Sequence, residues 1–233
     1  MAALYLIPTT LGDNNFDYVL PSGVLHKLRE IKYFIVENIR SARRYIKAVD
    51  QSIDIDTLVF YTLNRHTDPS ELQSFLTPLA SGADMAVISE AGCPAIADPG
   101  ADVVAIAQRK GYKVVPLVGP SSILLALMAS GFNGQSFAFN GYLPRDEQQL
   151  TRALKHYQTR ARSEQQSQIF IETPYRNNRL RDTMLRVLDA NTQLAIATDI
   201  TLNTEHITSK SIAQWRKSAQ QDINDHPSIF IIY

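Results

Sequence analysis

Short apolar runs alternate with amphipathic segments along the first half of the chain. The runs have the length and composition of β-strands, and the segments between them have helical spacing. In one segment, four apolar residues recur on a single helical face: Leu72, Phe75, Leu76 and Leu79. Strands that alternate with helices are typical of a parallel, doubly wound α/β sheet. The predicted strands cover residues 4–7, 33–36, 57–63, 85–89 and 113–118.

Proline and glycine mark the ends of two of these helices. Asp68-Pro69 offers an N-cap and a proline at the first helical position, and Gly82 closes the segment. Asp98-Pro99 predicts the start of a second helix in the same way, with Gly111 at its end.

The pattern changes in the second half of the chain. Strands are predicted over 137–140, 168–172, 193–198 and 228–233, and helices over 144–162 and 177–188. We interpret this half as a second, smaller α/β domain with a mixed sheet. The predicted domains are therefore residues 1–134 and 135–233, with the boundary inside 131–141.

Composition narrows the class of protein. The chain of 233 residues has 45% hydrophobic and 20% charged residues and a formal net charge of zero, as in ordinary globular proteins. No apolar run approaches the roughly 18 residues of a membrane span, and the N-terminus has no signal-peptide pattern. A single cysteine, Cys93, excludes an internal disulfide framework. We therefore expect a cytoplasmic protein without a membrane partner.

Three loops stand out because each leaves a predicted strand through proline or glycine. They cover residues 8–15, 89–100 and 119–122. The middle loop, SEAGCPAIADPG, is longer than the two to six residues usual for such a connection. Small side chains let the backbone approach a ligand closely, and ligands of open parallel sheets bind at the carboxyl ends of the strands. Tight turns are the alternative for each loop alone; together they indicate a ligand site.

The common nucleotide-binding motifs are absent. No P-loop sequence is present, and the loop after the first strand has only Gly12 where a dinucleotide fingerprint needs three glycines. The five histidines, at positions 26, 66, 156, 206 and 226, stand singly without metal-ligand spacing around Cys93. We therefore predict no metal site.

The loop motifs, in their order, resemble the tetrapyrrole (corrin/porphyrin) methylase superfamily over essentially the whole chain. Within it, the chain is most similar to the branch of ribosomal RNA small subunit methyltransferase I, which methylates a cytidine 2′-hydroxyl. The string Ser89-x-Ala91-Gly92-x-Pro94 continuing to Asp98-Pro99-Gly100 is the specific part. The shorter matches are Pro8 with Gly12, Glu37 with Arg40, Gly119-Pro120, Gly141-x-Leu143-Pro144, and Glu172-Thr173-x-x-Arg176.

This resemblance implies two α/β domains, a homodimer, and S-adenosylmethionine bound in a cleft between the domains. Carried over from the first domain, the cofactor-binding residues are Pro8, Thr9, Ser89, Ala91, Gly92, Cys93, Ile96, Ser121, Ser122 and Ile123. Strand position adds six more from the second domain: Ile171, Glu172, Ala197, Thr198, Pro227 and Ser228.

Methyl transfer from a sulfonium is a direct displacement, so it needs alignment and no covalent enzyme intermediate. A sugar hydroxyl is a poor nucleophile, so a base or a polarising cation should help. The catalytic candidates are Glu37, Arg40 and Arg176, with Glu172 beside the last. The alternative is that Glu37–Arg40 and Glu172–Arg176 are ion pairs at helix starts. We interpret Cys93 as a small apolar loop residue.

Two basic regions could bind the phosphates of ribosomal RNA. Arg40, Arg43, Arg44 and Lys47 would share one face of a helix. Residues 152–186 contain eight Lys or Arg against three Asp or Glu. The alternative for both regions is a solvated protein face.

The chain also departs from the branch pattern. Asn38-Ile39 stands where the branch has Asp-Thr, and Thr10 to Asp13 replaces its Pro-Ile-Gly-Asn. Thr198 to Leu202 replaces its Arg-Glu-Leu-Thr-Lys, and residues 225–227, Asp-His-Pro, stand where it has Gly-Glu. Three hypotheses therefore stay open: a methyltransferase acting on RNA, one acting on a corrin, porphyrin or other small molecule, and a non-catalytic cofactor-binding paralogue.

Overall fold

The computed structural model describes residues 2–12, 15–64, 66–68 and 70–233. The chain divides into two compact units, Met1–Ser121 and Ser122–Tyr233. The predicted boundary, after residue 134, falls one helix later than this division.

The first unit is built on a five-stranded sheet of order β3-β2-β4-β1-β5 in which every described pair of strands is parallel. This is the doubly wound arrangement that the alternating pattern predicts. The central strands β2, β4 and β1 are almost wholly buried. The strands are β1 Ala3–Ile7, β2 Tyr33–Val36, β3 Val59–Thr62, β4 Met85–Ile88 and β5 Lys113–Pro116.

Alternating residues of these strands feed two cores, one on each face of the sheet. Ile35 and Val87 point into one core, whereas Phe34 and Ala86 point into the other. The helices that cover the faces are α1 Phe16–Val19, α2 Ser22–Glu30, α3 Ile39–Val49, α4 Leu72–Phe75, α5 Thr77–Ala80 and α6 Gly100–Arg109.

The predicted helix that carries Leu72 and Leu79 is two short helices, α4 and α5, rather than one. Pro78 lies in the first turn of α5. A proline has no backbone N–H and clashes with the carbonyl four residues before it, so it ends the preceding helix. Pro69, the predicted first helical residue, lies outside the described residues. The predicted start at Asp98-Pro99 agrees with α6, and Gly111 follows that helix with φ +71°.

The second unit has a mixed sheet of order β6-β7-β10-β8-β9. β6 and β7 are parallel, whereas the pairs that involve β10 and β9 are antiparallel. Its strands are β6 Phe137–Tyr142, β7 Ser167–Ile171, β8 Gln193–Thr198, β9 His206–Ser211 and β10 Ser228–Ile232. Its helices are α7 Ser122–Ser130, α8 Glu147–Ser163, α9 Asn177–Val187 and α10 Ile212–Lys217.

Three elements of this unit were not predicted from the sequence. α7 (SILLALMAS) is apolar on nearly all sides, so it shows no amphipathic period. β9 (HITSKS) is an edge strand with mostly polar residues, and α10 has only six residues. Of all the helices in the described residues, none has both the length and the apolar character that crossing a membrane requires.

Candidate functional site

The carboxyl edge of the first sheet brings together the loops that follow β1, β4 and β5. β1 lies between β4 and β5, with Ile7 opposite Ile88 and Leu6 opposite Pro116. Parallel strands end on the same side, so the three loops predicted from the sequence lie side by side. Residues 13 and 14 of the first loop lie outside the described residues.

The loop Ser89–Gly100 is held by hydrogen bonds within each of its two halves. The Ser89 hydroxyl donates to the Gly92 carbonyl at 2.8 Å, and Thr9 N–H from the first loop donates to the same oxygen at 3.0 Å. Asp98 Oδ1 accepts from Ala95 N–H at 2.8 Å and Gly100 N–H at 2.7 Å. The loop is therefore a preformed structure rather than a simple strand-to-helix connection.

Two glycines allow the three loops to touch. A Cβ at Gly119 would lie 2.2 Å from Cβ and Cγ of Pro8. A Cβ at Gly92, whose φ is +73°, would lie 3.0 Å from the Leu11 side chain and 3.1 Å from the Pro120 carbonyl oxygen. These contacts explain why both positions are glycine.

Cys93 packs beneath the last of the three loops. Its Sγ lies 3.3 Å from the Pro120 carbonyl oxygen. Burial raises the pKa of the Cys93 thiol, which keeps it protonated at neutral pH. A protonated, half-buried thiol is a poor nucleophile, which agrees with the interpretation of Cys93 as a packing residue.

A cavity of about 420 Å³ opens within the first unit, between the first loop, α3 and the end of β4. The Tyr45 hydroxyl closes part of it by donating to the Pro8 carbonyl at 2.9 Å, and burial raises the pKa of Tyr45. Tyr45 and Glu90 were not among the predicted site residues. Only proximity in the fold identifies them, since neither belongs to the quoted motifs. The polar lining comprises Thr9, Thr10, Ser41, Arg44, Tyr45 and Glu90.

Glu37 is half-buried directly after β2. Burial, and then the charges of Asp98 and Glu90, raise the pKa of its carboxyl. Among the described residues, Glu37 and Arg40 make no ion pair, so the helix-start alternative does not describe them. Asn38 is the N-cap of α3, and its Oδ1 accepts from Arg40 N–H at 2.9 Å and Ser41 N–H at 3.2 Å. An aspartate or an asparagine can make this cap, so the departure at Asn38 preserves the local structure.

In the second unit, three strand ends meet at one edge of the sheet. Ser228 pairs with Thr198, and Ile229 pairs with Ile171. The Thr198 and Ser228 hydroxyl oxygens lie 3.0 Å apart. The six second-domain residues predicted from strand position therefore lie at a common edge, in the adjacent pairs Ile171–Glu172, Ala197–Thr198 and Pro227–Ser228.

Glu172 and Arg176 form a buried ion pair at this edge. Their side chains are 8% and 13% exposed. Glu172 Oε1 also accepts from Thr173 N–H at 2.6 Å, and Arg176 Nε donates to the Thr173 hydroxyl at 2.8 Å. The ion-pair alternative is thus correct for these two residues, although the pair is buried rather than exposed.

The two basic regions differ in how far their charges are neutralised. Arg40 and Arg44 on α3 are exposed and have no ion pair within the described parts of the chain. Arg43 approaches Asp56 only at 3.8 Å, and Lys47 donates to a backbone carbonyl. In the second region, carboxylates pair with seven of the eight cations: Lys155, Arg160, Arg162, Arg176, Arg179, Arg181 and Arg186. The face of α3 is the stronger candidate for phosphate contact.

No group of three or more His, Cys, Asp or Glu side chains in the described residues could hold a metal ion.

The chain is similar to known proteins in sequence and in fold. Residues 37–215 match the family model of tetrapyrrole (corrin/porphyrin) methylases. The chain belongs to this family. The predicted family and fold class are therefore confirmed, and the chain is a methyltransferase.

Several relatives are named ribosomal RNA small subunit methyltransferase I. The chain is 31% identical to the ribosomal RNA small subunit methyltransferase I of Vibrio cholerae over 91% of this chain and 69% of that protein. It is 30% identical to the protein of that name from Bacillus subtilis over 95% of this chain and 72% of the relative. Among solved structures, the methyltransferase CobJ aligns with a TM-score of 0.63 over 99% of this chain and 92% of CobJ. The identity to CobJ is 14%, so that likeness concerns the fold alone.

Proposed function

We propose that this protein transfers the methyl group of S-adenosylmethionine to a ribose hydroxyl of small-subunit ribosomal RNA. The observation that carries the proposal is the preformed loop Ser89–Gly100, which lies against the loops after β1 and β5 in a chain of this methyltransferase family. The names of its relatives supply the class of acceptor.

The chemistry of the first-unit loops fits the donor. S-adenosylmethionine supplies a methyl group on a positively charged sulfur. The loop at 89–100 offers backbone carbonyls and the carboxylates of Glu90 and Asp98, and it contains no lysine or arginine. Negative dipoles and carboxylates favour a cation, whereas a basic loop would oppose it. The residues proposed to hold the donor are Pro8, Thr9, Ser89, Ala91, Gly92, Cys93, Ile96 and Ser121 from the first unit, and Ser122 and Ile123 from the start of α7.

The second unit is proposed to contribute at the edge where β7, β8 and β10 meet. Backbone groups there and the hydroxyls of Thr198 and Ser228 can bind the polar parts of the donor. Arg176 is fixed by Glu172 and Thr173, so it can present its remaining guanidinium N–H groups in a constant orientation. The residues proposed from this edge are Ile171, Glu172, Ala197, Thr198, Pro227 and Ser228.

Glu37 and Arg40 are proposed to position the acceptor. Arg40 is exposed at the start of α3, where it can bind a phosphate, and Glu37 lies three residues before it with a carboxyl that can accept a hydrogen bond. The homodimer that the resemblance implies stays a prediction, which sedimentation equilibrium can check.

Labelled methyl transfer tests the proposal. The purified protein is incubated with S-adenosylmethionine labelled in the methyl group and small ribosomal subunits assembled on an unmodified transcript. Nucleosides from the digested RNA are then separated by chromatography and identified by mass spectrometry. Label in a 2′-O-methylated nucleoside is the expected result. Arg40→Gln should lower the transfer and leave donor binding intact, whereas Arg109→Gln on α6 should change neither. Label only in an added corrin or porphyrin would replace the proposed acceptor. Donor binding without any transfer would contradict catalysis.

A further inference from the structure

A histidine–aspartate pair lies at the edge of the second sheet, where β8 ends and β10 begins. His226 Nδ1 lies 2.7 Å from Asp199 Oδ2. The His226 side chain is 47% exposed, whereas that of Asp199 is 4% exposed. A carboxylate at this distance favours the tautomer with hydrogen on Nδ1, which leaves the lone pair of Nε2 on a ring that solvent can reach.

The carboxylate of Asp199 is fixed before any ligand binds. Thr204 Oγ1 donates to the same Oδ2 at 2.7 Å, and Asp199 N–H donates to the Pro227 carbonyl at 2.9 Å. Rotation of the Asp199 side chain away from the imidazole would break the bond to Thr204, and the backbone bond to Pro227 keeps Asp199 beside His226.

The backbone of His226 is fixed as well. Its carbonyl accepts from Asn177 Nδ2 at 2.7 Å and from the Ser228 hydroxyl at 3.0 Å. Asn177 is fully buried, and its Oδ1 is a buried side-chain oxygen that has no hydrogen-bond partner in the described structure. An unsatisfied buried oxygen is unfavourable in the folded state, and the Asn177 amide nitrogen holds the His226 carbonyl in spite of it.

Backbone strain concentrates around the same pair. Asp199, Thr201 and Asp225 have φ values of 52°, 73° and 63°. Left-handed conformations of residues other than glycine are unfavourable, and they cluster where the geometry of a functional site requires them. The two turns that meet here, 199–205 and 222–227, therefore have the features of a built site.

Resting on the proposed function, we infer that His226 is the proton acceptor of the methyl transfer and that Asp199 is its positioning residue. The acceptor oxygen bonds to the methyl carbon as the carbon–sulfur bond breaks, and the electron pair of that bond stays on sulfur. The hydroxyl proton moves to His226 Nε2 and then to solvent. Asp199 stabilises the imidazolium, and the turn adds two further carboxylates, Asp222 and Asp225. Arg181 of α9, which donates to the Gln221 carbonyl, is the cation that faces the same turn.

His226→Asn is the decisive variant. The asparagine amide can replace the donor at Nδ1, so the bond to Asp199 is retained, but it provides no basic nitrogen. Loss of a general base typically lowers kcat by about 10²- to 10⁴-fold. We expect a loss in that range with unchanged unfolding temperature and unchanged affinity for S-adenosylhomocysteine. Added imidazole should partly restore transfer by His226→Ala.

His206→Asn is the matched control. His206 pairs with Thr198 at the same sheet edge, and its Nε2 lies 2.9 Å from the Thr208 hydroxyl oxygen. Its replacement should change transfer by less than about twofold. A readout independent of turnover is the nitrogen-15 spectrum of the imidazole rings in the free protein. The inference requires that His226 has its hydrogen on Nδ1, and that Asp199→Asn weakens this preference.

The outcomes separate the two proposals. No transfer by the wild-type protein to any RNA overturns the proposed function and this inference with it. Transfer by the wild-type protein that His226→Asn retains overturns the inference alone. If the loss of transfer is accompanied by losses of stability and of S-adenosylhomocysteine binding, the His226–Asp199 pair has a structural role only. That result also overturns the inference.

Discussion

At the scale of single residues, the candidate site depends on small residues that let the loops approach each other and on side chains that hydrogen-bond to the backbone. Gly119 has no room for a Cβ against Pro8, and Asp98 Oδ1 holds two backbone N–H groups of one loop. None of these contacts needs a long charged side chain. The geometry of the loops is therefore set by the backbone, and single small substitutions should disturb it.

Gly119→Ala tests the close approach of two loops. The added Cβ would lie 2.2 Å from Pro8 atoms, so the loops must separate. We expect a loss of about 1–3 kcal/mol in the free energy of unfolding and a large loss of donor affinity. Gly23→Ala is the control, because no atom lies within 4 Å of its added Cβ in α2. Calorimetry on both variants checks this, and equal effects would contradict the steric argument.

Glu37→Gln tests the electrostatic environment after β2. Burial and the charges of Asp98 and Glu90 raise the pKa of Glu37, so its ionised form is less favourable in the folded state than in the unfolded state. Below the ordinary pKa, Glu37 is protonated in both states and its charge does not oppose folding. As pH rises through the raised pKa, the carboxyl ionises in the folded state and this stability is lost.

We accordingly expect Glu37→Gln to raise the unfolding temperature at pH 7.5 and this gain to shrink as pH falls toward about 4. Thermal unfolding over that pH range measures it. The exposed Glu71→Gln is the control for removing a charge. A gain that grows on acidification would show that the sign is wrong.

Residue-level prediction worked where a motif carries its own geometry and failed where the partner is distant in sequence. The three loops were predicted because proline, glycine and small residues mark them. Asp199 and His226 were noted only as departures, because a hydrogen bond between residues so far apart has no local pattern. Tyr45 and Glu90 join the cavity lining only after the sheet has formed.

At the scale of elements, α3 presents the exposed basic face that the spacing of its cations predicts. The cations of residues 152–186 are largely paired with carboxylates, so the solvated-face alternative accounts better for that region. Its content of cations could be read from the sequence, but their partners on other elements could not.

Arg43→Glu with Arg44→Glu tests RNA contact by α3. If both residues bind phosphates, the double change should weaken RNA binding by roughly tenfold or more and reduce the salt slope by about 1.4, which is about 0.7 per contact. Filter binding or fluorescence anisotropy at several salt concentrations measures both quantities.

Arg109→Glu with Lys110→Glu is the matched control at the C-terminal end of α6, with the same change in net charge on exposed residues. Equal losses in the two double variants would mean that net charge, rather than the face of α3, determines RNA binding. Unchanged RNA binding by the α3 variant would contradict the proposed interface.

Element prediction was accurate for buried strands and weaker elsewhere. β2 and β8 agree with their predicted limits: β2 is an apolar run between Lys32 and Glu37, and in β8 one polar residue flanks each end of the apolar run 194–197. The segment around Leu76 was assigned to one helix because its apolar spacing outweighed the breaking effect of Pro78. α7 was not predicted, because a helix that is apolar on nearly all sides has no hydrophobic period in its sequence.

At the scale of the whole molecule, alternation of strands and helices was sufficient to predict two α/β units and the class of each sheet. The strand orders β3-β2-β4-β1-β5 and β6-β7-β10-β8-β9 were not predictable, because strand pairing depends on contacts between residues far apart in the chain. The convergence of the three loops at the carboxyl edge of the first sheet was nevertheless predictable, since every parallel strand ends there, and the ligand site at that edge stays a prediction.

The most direct measurement of the central claim is the thermal unfolding of the purified protein with S-adenosylhomocysteine, with ATP and NAD as controls. A ligand at about 100 times its dissociation constant stabilises the folded state by roughly 2.7 kcal/mol. We predict a stabilisation of this size with S-adenosylhomocysteine and none with ATP or NAD. No stabilisation, in protein shown to be free of co-purified cofactor, would contradict a methyl-donor site in the loops at 8–12, 89–100 and 119–122.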